Sequence, residues 1–131
     1  MSAELRLEAN YLALRAIGPW LESLLLGHCV DQLGTIELGV HELATNSVDH
    51  AQSRDGILTL RGTVEAGCLR IVMHDRGIEF DAARVATPHP DRPQVRGYGL
   101  MILEQLVEEL VYERQGEFNV WNARFALDDT Q

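Results

Sequence analysis

The chain contains no lysine, so all 11 of its basic side chains are arginine, against 20 acidic ones. The lack of lysine excludes a P-loop, which needs a phosphate-binding lysine, and it excludes any lysine nucleophile. The net charge of −9 disfavours direct nucleic-acid binding and adhesion to an anionic membrane, because both need a basic surface. Nucleotide binding stays open, since backbone amides and a magnesium ion also hold phosphates.

Long apolar runs and cysteines are also scarce. No run approaches the length that spans a bilayer, and the start, MSAELRLEAN, lacks the basic and apolar parts of a signal peptide. The two cysteines, Cys29 and Cys68, have no zinc-ligand spacing, so we expect reduced core thiols in a cytoplasmic protein. The length of 131 residues and the hydrophobic fraction of 46% predict one folded domain over residues 1–131.

The pattern of apolar residues predicts an α+β two-layer sandwich, a mainly antiparallel sheet with helices on one face. Gly18-Pro19 should kink or divide the first helix, and Asp31 is a plausible cap for the second. The predicted elements are a strand at 4–8, a helix at 10–27, a helix from 31 to about 51, a hairpin of strands at 57–66 and 68–75, a Pro-rich loop at 82–96, a helix at 99–109, and strands at 110–115 and 118–127.

The second predicted helix contains HELATNSVDHA at 41–51, which places Glu42, Asn46, Asp49 and His50 on one stripe. A solvated outer face is the simpler interpretation of polar residues on a helix. Asparagine and aspartate are poor residues for a helix interior, however, and a solvated face usually carries lysine, arginine, glutamate and glutamine. A glutamate one turn before an asparagine is also a suitable pair of a base and a magnesium ligand.

Two glycine motifs follow. In HDRGIEFD at 74–81, Asp75 ends a strand, where its carboxylate can accept a hydrogen bond from an exocyclic amine, and Gly77 lets a planar ring approach the backbone. In RGYGLMI at 96–102, Gly97 and Gly99 precede an apolar helix, where exposed N–H groups form an anion site. Each motif alone is weak, because turns and helix caps also use these residues.

The order of these parts resembles the ATP-binding domain shared by histidine kinases, DNA gyrase, Hsp90 and MutL proteins, the Bergerat fold. ELATNSVDHA, DRGIEFD, RGYGLMIL and GLMILEQLVEELVYE are most similar to the anti-sigma factor serine/threonine kinases of bacterial partner-switching systems. The resemblance spans nearly the whole chain. It implies an ATP- and magnesium-dependent kinase that phosphorylates a STAS-domain anti-sigma factor antagonist and also binds a sigma factor or another regulatory target.

The resemblance also implies roles for individual residues. Glu42 is the expected general base, and Asn46 the expected magnesium ligand. Asp75 is expected to hydrogen-bond the adenine amine, with Gly77 giving the base room. Gly97, Gly99 and Leu100 are expected to shape the phosphate-binding segment at the third helix, with residues 82–96 as a lid over the nucleotide.

One position departs from the family pattern, because Glu79 stands where a second glycine is expected. The glutamate removes a backbone conformation that only glycine adopts at low cost, and it adds negative charge near the phosphates. Arg84, Arg92 and Arg96 of the lid are either phosphate contacts or solvated loop residues.

Two other functions stay open. One is a binding module that sequesters a partner, with nucleotide binding weakened by Glu79. The other is the ATP-binding part of a larger sensor kinase, against which the Met1 start and the polar DDTQ tail are weak arguments. The apolar residues from Tyr11 to Leu21 mostly belong to the predicted core, and the resemblance favours a homodimer through this N-terminal region.

Overall fold

The computed structural model describes residues 2–28, 32–80 and 98–127, and these contain one five-stranded antiparallel sheet with the strand order β1-β2-β3-β5-β4. The strands are β1 Ser2–Glu8, β2 Ile57–Glu65, β3 Cys68–Asp75, β4 Glu109–Gln115 and β5 Phe118–Ala126. The helices are α1 Ile17–Leu24, α2 Leu33–Asn46 and α3 Tyr98–Leu106. This open sheet with helices is the Bergerat-type fold that the sequence predicts.

Alternation along the strands gives the sheet one buried face. In β3, Leu69, Ile71 and Met73 are fully buried, whereas Val72 and His74 between them are half-buried on the opposite face. β5 pairs antiparallel with β3 and adds its own inward residues to the same core. The helices cover this inner face, so Asp75, the polar residue that ends the inward row of β3, lies at the rim of the core.

Helix α2 lies at the centre of the helical layer. Five apolar residues recur at helical spacing in this region of the sequence, and four of them, Ile36, Val40, Leu43 and Ala44, are fully buried. The fifth, Val48, is partly buried. At Gly39 an added Cβ would lie 2.7 Å from the Phe125 ring, so this glycine allows α2 to pack directly on β5.

The first helix is shorter than predicted. Residues Ala13–Ala16 form a 3₁₀ turn, α1 follows, and the turn after α1 ends at Gly27, which has a φ of +89°. Pro19 is the third residue of α1, where its missing N–H would have no intrahelical acceptor. The proline therefore fixes where α1 begins and does not divide a long helix.

The second and third helices also differ from the predictions in detail. Helix α2 continues to Ala51 as predicted, but residues Ser47–Ala51 form a π-helical segment. Helix α3 begins at Tyr98 and ends at Leu106, because β4 already begins at Glu109. The predicted cap Asp31, the lid at 82–96 and Cys29 lie outside the described residues.

Cys68 does not belong to the core, contrary to the prediction. It is the first residue of β3 on the outer face of the sheet, and it is half-buried. Burial, followed by the charge of Glu65, raises the pKa of its thiol, which lowers its reactivity at neutral pH. In the part of the chain that the structure describes, no helix is long and apolar enough to cross a membrane.

Candidate functional site

A cavity of about 220 Å³ opens where the C-terminal end of the α2 layer meets the ends of β3 and β5. It brings together two residues that the sequence singles out, Asn46 and Asp75, although they are far apart in the chain. The residues that line it are Asn46, Asp49, His50, Ala51, Gln52, Asp75, Ile78, Glu79, Phe80, Asn119 and Trp121. The roles assigned to Asn46 and Asp75 stay predictions, but their positions are compatible with one ligand.

Asp75 is the last inward-facing residue of β3 and is only 2% exposed. Its Oδ2 accepts a hydrogen bond from Ser47 Oγ at 2.7 Å. Its Oδ1 accepts from Gly77 N at 3.0 Å and from Asn119 Nδ2 at 2.8 Å. A carboxylate has about four acceptor positions, so three donors from the protein leave one for a donor in the cavity.

Gly77 lies directly against the end of the π-helical segment. A Cβ there would come within 2.3 Å of the Ala51 carbonyl oxygen and 2.6 Å of its Cβ. The next residue, Ile78, donates its N–H to that same carbonyl at 2.7 Å. The close approach that glycine permits at this position is therefore one within the protein, and the predicted contact with a base stays a prediction.

The polar stripe of the second helix is half-buried, which differs from a solvated face. Asn46 is the last residue of α2, and the π-helical segment presents Asp49 and His50 to the cavity. Tyr11, between β1 and α1, donates its hydroxyl to Asp49 Oδ1. Single π turns are frequent at functional sites, because they redirect side chains relative to the regular helix.

Glu42 lies one turn before Asn46 on α2 and is half-buried. It is not among the described residues that line the cavity. A residue that takes a proton from a hydroxyl of a second protein need not line the pocket that holds the adenine ring. The position of Glu42 is therefore compatible with its predicted role.

An apolar wall faces the polar residues of the cavity. The rings of Phe80 and Trp121 meet edge to face with centroids 4.8 Å apart, and Tyr112 packs on both. Ile78, which is 45% exposed, continues this wall toward solvent. Apolar walls with one convergent buried carboxylate suit a flat heteroaromatic ring that carries an amino group.

The donor atoms fit a magnesium ion that is held mainly by phosphates. Asn46 supplies an amide oxygen and Asp49 a carboxylate to the same cavity, and magnesium prefers such oxygen ligands. Among the described residues, no group of three or more histidine, cysteine, aspartate or glutamate side chains is arranged to hold a metal. Magnesium commonly takes one or two protein ligands and completes its shell with phosphate oxygens and water.

Glu79 lines the cavity with an exposed carboxylate, so Asp49, Asp75 and Glu79 together make the cavity acidic. The backbone of Glu79 is not strained, because Gln52 is the only described residue other than glycine with a positive φ. Glu79 thus does not adopt a conformation that only glycine favours. The effect of the missing second glycine on nucleotide binding stays a prediction, and the negative charge remains.

The predicted phosphate-binding residues are only partly described. Gly97 lies outside the described residues. Gly99 and Leu100 belong to the first turn of α3, whose first residue is Tyr98. A position in the first turn is compatible with the predicted anion site, and the roles of these residues stay predictions.

The sequence prediction missed Ser47, Asn119, Tyr112 and Arg114, which hold the site together. A signal for Asn119 does exist in the sequence. Every second residue of β5 faces the core, and Asn119 is a polar residue in that row, which continues with Trp121, Ala123 and Phe125. No comparable local signal identifies Ser47, whose partner Asp75 lies 28 residues away.

The family model of the histidine kinase-like ATPase domain matches residues 5–125. Among solved structures, the RsbU and RsbW domains of Rv1364c from Mycobacterium tuberculosis align with a TM-score of 0.71 and 19% identity, over 97% of this chain and 32% of that one. The histidine kinase domain of the blue-light activated kinase from Erythrobacter litoralis EL346 aligns with a TM-score of 0.55 and 22% identity, over 88% of this chain and 60% of that one.

The histidine kinase AdeS of Acinetobacter baumannii aligns with a TM-score of 0.54 and 16% identity, over 96% of this chain and 68% of that one. No curated protein sequence matches significantly. The chain spans about a third of the Rv1364c structure, and identities this low show a shared fold alone.

The family model supports a kinase-like ATP-binding role. The match begins within β1 and ends within β5, so it covers most of the chain. The chain therefore belongs to the family of histidine kinase-like ATPase domains.

Proposed function

We propose that this protein is a magnesium- and ATP-dependent serine/threonine kinase of a bacterial partner-switching system. Its substrate is a STAS-domain antagonist, and its other partner is a sigma factor or a similar regulatory target. The observation that carries the proposal is the single cavity shared by Asn46 and the buried carboxylate of Asp75. The family match and the likeness to a structure with an RsbW domain support it.

Different residues of the cavity are proposed to bind different parts of ATP and its magnesium ion. The free acceptor position of Asp75 takes the amino group of the base, while Phe80, Trp121 and Ile78 exclude water from the ring. Asn46 offers an amide oxygen to magnesium, and the first turn of α3, which contains Gly99, is the proposed site for the phosphates.

Bound ATP supplies the phosphoryl group, and magnesium neutralises its charge. Glu42 accepts the proton of the attacking serine or threonine hydroxyl, whose oxygen bonds to the γ-phosphorus while ADP leaves. Positioning and charge neutralisation provide most of the rate in phosphoryl transfer, so this short set of groups suffices. The protein is proposed to act in the cytoplasm and to pair as a homodimer through its N-terminal region.

The test is transfer of labelled phosphate from ATP to a purified STAS-domain antagonist, with mass spectrometry to identify the modified residue. Glu42→Gln should lower the transfer rate by roughly 10²–10⁴-fold and leave ATP binding intact. Glu37→Gln is the matched control, because Glu37 lies on the same helix and its carboxylate packs toward Gly18. Transfer by Glu42→Gln at the wild-type rate would contradict the role of Glu42.

A binding module without catalysis is the second candidate, and the acidic cavity favours it. Asp49, Asp75 and Glu79 repel a triphosphate unless a cation offsets their charge. If this function is the correct one, the protein captures its antagonist or target equally well with and without nucleotide. Glu79→Gly then restores measurable ATP binding by removing one of the three carboxylates.

A further inference from the structure

Asn119 is a buried residue of β5 that hydrogen-bonds both to residues of the cavity and to side chains of β4. It is 2% exposed, and its Nδ2 donates to Asp75 Oδ1 at 2.8 Å and to the Ile78 carbonyl oxygen at 2.7 Å. Its Oδ1 accepts from Tyr112 Oη at 2.5 Å and from Arg114 Nη1 at 3.1 Å. An arginine can only donate, so the atom that faces it must be the amide oxygen, and the amide nitrogen must face Asp75.

The side chains of Asn119, Tyr112 and Arg114 also hold the segment after β3 that forms one wall of the cavity. Arg114 Nη1 donates to the Gly77 carbonyl oxygen at 2.7 Å, and Tyr112 Oη accepts from Phe80 N at 2.9 Å. With the bond from Asn119 to Ile78, side chains of β4 and β5 satisfy the backbone of residues 77–80 where no strand pairs with it. The orientation of Asn119 and the position of Asp75 are thus fixed by one connected network.

This network determines what Asp75 offers to a ligand. Its partners among the described residues, Ser47, Gly77 and Asn119, all donate hydrogen bonds to it. A carboxylate surrounded by donors presents only an acceptor to the cavity. A base edge with an amino group satisfies that acceptor, and a base edge with a carbonyl oxygen leaves two acceptors facing each other.

We propose that Asn119 is a positioning residue that sets the base preference of the cavity. By donating to Asp75 Oδ1, it keeps the remaining acceptor aimed at a 6-amino purine and rejects a 6-oxo purine. This inference rests on the proposed nucleotide binding and adds to it a residue that contacts Asp75 and sets its hydrogen-bonding character. Inosine triphosphate is the matched probe, because it differs from ATP at the purine position that faces Asp75.

The test replaces Asn119 by aspartate. Asn119→Asp puts a carboxylate where the amide donor stands, 2.8 Å from Asp75, and two carboxylates this close share a proton. That proton lies between the two carboxyl groups and replaces the amide donor, so Asp75 stays in place while the proton is bound and is repelled once it is lost. Wild type should bind ATP roughly 10- to 100-fold more tightly than inosine triphosphate. The variant should approach the wild-type ratio at low pH, and it should lose most of that ratio, together with ATP affinity, as the pH rises and the shared proton is lost.

Asn122→Asp is the control, because it makes the same change of charge on the same strand. Asn122 faces the opposite side of the sheet, where its Oδ1 accepts from Arg70 Nη1 at 2.9 Å. It should keep the wild-type preference at every pH. Both variants are measured by calorimetric titration after circular dichroism has established that they are folded.

The outcomes separate the inference from the proposed function. If wild type binds ATP but Asn119→Asp keeps the wild-type ratio and shows no pH dependence, Asn119 does not set the preference. If wild type binds neither nucleotide, the proposed function itself fails. If Asn119→Asp does not fold, Tyr112→Phe removes only the hydroxyl that orients the amide; it should lower the ratio by a smaller factor, and an unchanged ratio would overturn the inference.

Discussion

The hydroxyl of Ser47 lies 2.7 Å from Asp75 Oδ2 and joins the first residue of the π-helical segment to the last residue of β3. Both residues are 2% exposed, so water does not replace this bond when it is removed. Two of the elements that line the cavity are therefore linked directly through side chains. Stability and ligand geometry depend here on the same contact.

Ser47→Ala should lower the free energy of unfolding by about 1–3 kcal/mol, because it removes a donor from a buried carboxylate. Ser23→Ala is the control, since Ser23 is an exposed residue of α1 and the same change there should be close to neutral. Denaturant unfolding measures both. Equal effects of the two substitutions would show that the bond to Asp75 contributes nothing to stability.

Gly77→Ala and Gly34→Ala should have opposite effects. A Cβ at position 77 would lie 2.3 Å from the Ala51 carbonyl oxygen, so the backbone must shift, at a cost of about 1–3 kcal/mol. At Gly34, in the first turn of α2, nothing lies within 4 Å, and alanine should raise stability by up to about 1 kcal/mol. Thermal unfolding distinguishes the two signs. A Gly77→Ala protein as stable as wild type would refute the close contact with Ala51.

Gln52 ends the π-helical segment with a φ of +50°, a left-handed conformation that costs a residue with a side chain about 1–2 kcal/mol. Gln52→Gly should therefore raise the free energy of unfolding by about 1 kcal/mol after the greater freedom of glycine in the unfolded chain is included. Gln52→Ala keeps the penalty and serves as the control. If both variants unfold at the same denaturant concentration, the left-handed conformation carries no cost.

The fold could be predicted further than the site. Alternation identifies the β2–β3 hairpin because one face of each strand is buried, and helical spacing identifies the buried row of α2. Asparagine is unusual in a helix interior, which singles out Asn46, whereas Asp75 is identified by the place of its motif in the order typical of the Bergerat fold. The network around Asn119 was missed because its bonds join residues up to 44 apart in the chain, and no local pattern encodes such partners.

The turn before β2 provides a prediction for acid stability. The hydroxyl of Ser53 and then the N–H of Ile57 donate to Asp55 and lower the pKa of that carboxyl. A lowered folded-state pKa contributes stability above the unfolded value of about 3.9, and the contribution is lost as pH falls through the lowered value. Asp55→Asn should therefore be less stable than wild type at neutral pH, and the difference should vanish in acid. A difference that stays constant across a pH series of unfolding curves would contradict this.

Binding of ATP is the claim on which the proposed function depends, and calorimetric titration of ATP into the wild-type protein, with and without magnesium, tests it most directly. The positions of Asn46 and Asp75 on one cavity predict saturable binding that magnesium strengthens. A folded protein that takes up no ATP in either condition would contradict the kinase and favour partner capture.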